Sequence, residues 1–170
     1  MNKIIIIMFL LVQLAFAQDK NTILVDVKSG SPMLVGVCDR DAFADTNFAW
    51  WFNSGYKFYN PDTSTLRLIK EIKPNYTIKI VMGTWCSDSR REIPRFYRLL
   101  DEINFSEEKV TLINVDREKN GVSVDVSNMN IELVPTFIFY ENDVEIGRII
   151  ETPNESLEED YLDILYNIGL

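Results

Sequence analysis

The stretch from Thr77 to Ile103 constrains the fold more than any other part of the chain. Thr77 to Met82 reads as a buried strand, Gly83 ends it, and Ile93, Phe96, Tyr97, Leu100 and Ile103 then recur at three- and four-residue spacing. A buried strand feeding an amphipathic helix over Ser89 to Ile103 implies a sheet with helices packed on it. Pro94 lies inside that helix and is expected to kink it.

The elements around it agree with an α/β chain. Ile23 to Val27 and Met33 to Cys38 read as short strands on either side of the turn-forming Ser29-Gly30-Ser31-Pro32. The block from Phe43 to Tyr59 holds eight of the twenty aromatics, and Phe43, Asn47, Trp50, Trp51, Ser54 and Phe58 fall at helical spacing, which predicts a core-facing stripe interrupted by Gly55. Asp62 or Thr63 caps a following helix whose Leu66, Ile69 and Ile72 or Lys73 share a face, and Pro74 ends it. Val110 to Val115 is a strand, and 117 to 130 a polar loop with a short helix. Thr136 to Tyr140 and Glu145 to Ile150 form an antiparallel hairpin, and Leu157, Tyr161, Ile164, Leu165 and Ile168 mark a terminal helix capped by Gly169.

Composition removes several classes of chemistry. With no histidine there is no Ser-His-Asp triad and no Cys-His dyad, and two cysteines with carboxylates match the usual zinc sets poorly, so no metal and no cofactor are expected. A formal charge of -9 argues against a nucleic-acid partner. The N-terminus, Lys3, the apolar run from Ile4 to Leu14 and Ala15-Phe16-Ala17, has the form of a secretory leader. The run is short for a membrane span, so a membrane contact is expected only if the leader is retained. Cleavage after Ala17 leaves an exported protein, periplasmic or extracellular, in a compartment where disulfides persist.

The remaining chemistry points to Cys86. In Gly83-Thr84-Trp85-Cys86-Ser87-Asp88-Ser89 the cysteine follows the strand and opens the helix, where the helix dipole and free N–H groups favour a thiolate. Arg90 and Arg91 add to that field and Asp88 opposes it. Free cysteines also serve simply as small buried apolar groups.

The motif resembles the thioredoxin family, whose hallmark is Trp-Cys-x-x-Cys between a strand and a helix. Pro94, eight residues after Cys86, matches the family's helix-kinking proline; Val115-Asp116 matches the close of the next strand; Val134-Pro135-Thr136 resembles the cis-proline loop before the terminal hairpin. The resemblance covers residues 74 to 170, and more narrowly is to an exported bacterial subgroup. It implies a thioredoxin-like three-layer α/β sandwich, a central mixed sheet flanked by helices. Residues 1–17 are then the leader, 18–73 an N-terminal extension with the first strand and helices, and 74–170 the thioredoxin-like core.

Two departures shape the expected function. Ser89 stands where the second cysteine belongs, and Ile80 replaces the buried acid that often lies six residues before the first. The resemblance therefore implies a monothiol, isomerase-like exchange in which Cys86 attacks a protein or small-thiol disulfide. Trp85, Asp88 and the Ser89 hydroxyl complete the site, and Val134, Pro135 and Thr136 present backbone to the substrate. Cys38 is either a resolving thiol, if it comes within about 7 Å of Cys86, or a buried structural one. The other reading is a redox-inactive binding module for proteins or peptides, its surface in the aromatic block.

Overall fold

The computed structural model describes residues 20–72 and 75–166. The expected leader and cleavage site, Lys73 and Pro74, and Ile168 and Gly169, expected to end the terminal helix, lie outside the described residues.

Six strands form one mixed sheet: β1 Thr22–Val25, β2 Pro32–Cys38, β3 Tyr76–Met82, β4 Val110–Asn114, β5 Thr136–Glu141 and β6 Val144–Ile150, in the order β1-β2-β4-β3-β5-β6. Among the described residues only β3 and β4 run parallel, and the connection between them holds the helix Ser87–Glu102, as parallel pairs require a crossover. β1 and β2 enter the sheet as a hairpin. β1 pairs antiparallel with β2, and β2 antiparallel with β4, with Gly36 opposite Asn114 and Cys38 opposite Leu112. The β5–β6 hairpin turns through Asn142 and Asp143, both at positive φ (49° and 64°), as a type I′ turn demands.

The helices are α1 Thr46–Phe58, α2 Thr63–Glu71, α3 Ser87–Glu102 and α4 Leu157–Tyr166, with a 3-10 turn at Arg40–Ala44 leading into α1. Asp62 caps α2 by accepting from the N–H groups of Ser64 and Thr65, the satisfaction of orphan donors that makes aspartate a good N-cap. Within the sheet, successive residues face opposite sides. Ile80, Met82 and Leu112 join the cluster that receives side chains from all four helices. Val81, Ile113 and Val115 face the other way, into a smaller cluster with Val126 and Val134. The second face is covered not by long helices but by the segment after β4, which carries one 3-10 turn at Ser127–Met129.

The stripe expected in the aromatic block is displaced. Phe43 and Trp51 are buried as predicted, Phe48 and Phe52 are buried beside them, and Trp50 is 66% and Phe58 73% exposed. Phe43 stacks on Phe52 with ring centroids 4.6 Å apart and meets Trp51 edge-on at 5.4 Å. Gly55 is part of the buried face: a Cβ there would lie 2.5 Å from Pro94 Cγ. Phe48, Trp51, Phe52 and Gly55 thus form the i, i+3, i+4, i+7 stripe against α3, and Asn47, Trp50, Ser54 and Phe58 turn outward.

Candidate functional site: a half-buried thiol at a helix start

Cys86 is the N-cap residue of α3 in extended conformation (φ -88°, ψ 132°). Its N–H donates to the Gly83 carbonyl at 2.9 Å, closing the turn after β3, and its carbonyl accepts the first helical bond from Arg90 at 3.1 Å. The site therefore stands outside the carboxyl ends of the parallel strands, where open α/β sheets commonly carry ligands. Thr84 fixes this turn to the neighbouring hairpin. Its buried hydroxyl accepts from the Leu34 N–H at 3.1 Å and its carbonyl accepts from Arg90 Nε at 2.5 Å.

The sulfur is half-buried and faces two acceptors. It lies 3.3 Å from the Val134 carbonyl oxygen, to which the thiol donates, and 4.0 Å from Asp88 Oδ2. Of the two arginines in the first turn, only Arg91 is paired with carboxylates among the described residues. Arg90 is bound to Thr84, and Arg91 pairs with Asp88 at 2.9 Å and with Glu92 at 2.5 Å.

Ser89 is fully buried, and its hydroxyl accepts from the Gly83 N–H at 3.3 Å. The bond holds the turn beneath the thiol. Ile80 is buried in the helix-side cluster. The Val134–Pro135 peptide is cis. The Pro135 carbonyl accepts from the Glu151 N–H at 2.7 Å, and the Thr136 hydroxyl donates to the Leu133 carbonyl at 2.7 Å. The loop is thus held from both sides, with the Val134 carbonyl turned to Cys86.

Trp85 is clamped. Its Nε1–H donates to the Val115 carbonyl at 2.9 Å, a Cβ on Gly83 would approach its Cε2 and Nε1 to 2.5 Å, and the Arg117 guanidinium lies 5.0 Å from its ring centroid. Arg117 and its partner Asp26 were not legible as site residues, because they lie 91 positions apart in the chain and neither belongs to a motif.

Cys38 does not pair with Cys86 in this structure: both cysteines are free. The sheet separates them. Cys38 belongs to the helix-side cluster with Leu112, whereas Cys86 packs against the opposite cluster with Val81 and Ile113. Burial pushes the Cys38 thiol up to about 11, against weaker opposing contacts from Asn114 and the Asn21 backbone, which marks it as an inert, structural thiol. Among the described residues no group of three His, Cys, Asp or Glu side chains is placed to hold a metal ion.

Strand β3, the thiol, a helix with an internal proline, parallel strand β4, the cis-proline loop and the β5–β6 hairpin follow one another in the order that the sequence resemblance implies. The fold is thioredoxin-like. No protein-family model matches the chain, and no curated protein is significantly similar to it. Similar solved structures include a Pseudomonas aeruginosa protein of unknown function (15% identity, 71% of this chain and 80% of that one, TM-score 0.46). They also include thioredoxin from Fasciola hepatica (25%, 49% and 75%, 0.34) and oxidized thioredoxin O2 from Arabidopsis thaliana (19%, 62% and 84%, 0.38).

Proposed function

We propose that the protein is an exported monothiol thiol–disulfide exchange protein with Cys86 as its nucleophile. The observation that carries this reading is the position of the sulfur: half-exposed at the start of α3, against the carbonyl that precedes the cis proline, with a serine at the second motif position. In the reaction the thiol gives its proton to solvent. The thiolate then attacks one sulfur of a substrate disulfide, forming a Cys86–substrate S–S bond and expelling the other sulfur as a thiolate. Ser89 cannot attack this mixed disulfide. A second thiol, from the substrate itself or a small external thiol, attacks the substrate sulfur and returns Cys86 as thiolate. One disulfide is consumed and one formed, so the cycle rearranges disulfides with no net oxidant, which suits isomerisation. The substrate's cysteine takes the place of the Val134 carbonyl beside the sulfur, and its backbone lies along Val134, Pro135 and Thr136.

The test is to mix the reduced protein with a disulfide-bonded peptide and follow adducts by mass. The expected product is a single mixed disulfide at Cys86, absent in Cys86→Ala and discharged by added glutathione. A protein that forms no adduct is not an exchange catalyst. The binding-module alternative then stands, and full biological activity of Cys86→Ala supports it directly.

A further inference from the structure

The hairpin β1–β2 overhangs the thiol site. Because β2 runs antiparallel to β4 with Gly36 opposite Asn114, the last residue of β4, its earlier residues and the turn before them continue past the carboxyl end of β4. Cys86 and Trp85 stand at that same end. One side chain in the turn is out of keeping with a simple hairpin: Asp26 is only 2% exposed. A buried carboxylate is tolerated only when paired and fully hydrogen-bonded. Asp26 meets both conditions. Arg117 grips it with a fork, Nε to Oδ1 at 2.9 Å and to Oδ2 at 3.0 Å, and Nη2 to Oδ2 at 2.7 Å. Ser29 Oγ donates to it at 2.5 Å and the Lys28 N–H at 3.1 Å. The Arg117 contact holds its carboxyl far below the usual range, with Ser29 adding to it.

The same guanidinium covers the Trp85 ring. Trp85 is held on its edge by the Val115 carbonyl and crowded by the Gly83 backbone, so Arg117 supplies a further constraint on the residue next to the nucleophile. We propose that Arg117, anchored by Asp26, is a positioning residue for the thiol site: it fixes Trp85, and with it the Cys86 turn, in the geometry that meets a polypeptide disulfide. Arginine suits this task because its planar fork pairs with a carboxylate while its face packs on an aromatic ring; lysine does only part of each. The inference rests on the exchange reading above, since positioning matters only if Cys86 reacts.

The experiment reads the two halves separately on the purified protein. Hydrogen exchange of the indole N–H groups is followed by NMR without any disulfide present, and the rate of mixed-disulfide formation with a disulfide-bonded peptide is then measured. Arg117→Met, which keeps the hydrocarbon stem, is expected to speed Trp85 indole exchange about tenfold and to slow mixed-disulfide formation by about the same factor. Asp26→Asn is expected to move both in the same direction, and Arg117→Lys to restore each only in part. The backbone N–H groups of the β3–β5 ladder are expected to keep their slow exchange and so to show that the variants remain folded. Unchanged Trp85 exchange in Arg117→Met overturns the proposal, as does faster Trp85 exchange with an unchanged reaction rate; both leave the exchange reading intact. A parent protein that forms no mixed disulfide overturns the exchange reading and this proposal with it, and is recognised because its Trp85 exchange is measured independently.

Discussion

Gly55 in α1 lies against Pro94 in α3 so closely that a Cβ on the glycine would stand 2.5 Å from Pro94 Cγ and 3.1 Å from its Cβ. Two residues that each weaken a helix taken alone are therefore complementary: the missing side chain of one makes room for the ring of the other. The contact joins the aromatic helix to the helix that starts at Cys86. Gly55→Ala is expected to destabilise the protein by about 1–3 kcal/mol, the usual cost of overpacking, even though alanine is the better helix former. Chemical denaturation of Gly55→Ala, Pro94→Ala and the double variant measures it, and the double variant is expected to be more stable than the sum of the single losses implies.

Tyr76 and Tyr161 share a buried hydroxyl–hydroxyl bond of 2.6 Å between β3 and α4. Removing one hydroxyl strands the other in the core. Tyr161→Phe is expected to cost about 1–3 kcal/mol, and the double change to phenylalanine less than either single one, as a double-mutant cycle in urea will show.

The two cysteines differ in burial, so they differ in reactivity. At pH 8 iodoacetamide is expected to modify the native protein once, at Cys86, and the urea-unfolded protein twice; two rapid modifications in the native state would contradict the placement of Cys38. The pH dependence follows from the raised Cys38 thiol. Its neutral form is favoured by the fold, so its contribution to stability is complete below the unfolded value of about 8.5 and is lost as pH rises through about 11. Stability measured against pH is expected to fall over that window less steeply in Cys38→Ala than in the parent.

Asp88 places a carboxylate oxygen 4.0 Å from the sulfur. A like charge there opposes the thiolate, though the pairing with Arg91 and solvent weaken the effect. Asp88→Asn is expected to raise the alkylation rate of Cys86 at pH 7 by about two- to fivefold. A slower rate would mean that the carboxylate assists removal of the thiol proton.

Much of the backbone plan was legible before any tertiary contact was known. The strand at Tyr76–Met82, the helix after Cys86, the hairpin near the C-terminus and the Asp62 cap all rest on local rules: apolar period, turn chemistry and satisfaction of the first N–H groups of a helix. The aromatic block was less legible because two stripes one position apart are both rich in aromatics. Periodicity cannot rank Trp50 above Trp51; the Pro94 ring, which accepts only a glycine opposite it, decides in favour of Trp51.

The site divides in the same way. The sequence by itself marked Cys86 as the candidate for thiol chemistry, because it is the cysteine of the Trp-Cys-x-x-Ser motif and opens the helix that follows Tyr76–Met82. It also determined that Ser89 leaves that thiol without a helical partner. Tertiary structure alone decided what surrounds the sulfur. It put Val134 and Asp88 beside it, placed Cys38 across the sheet, and brought Asp26 to Arg117 over the Trp85 ring. The reason is physical: periodicity and capping act over a few residues, whereas these meetings depend on strand order and register, which join segments far apart in the chain.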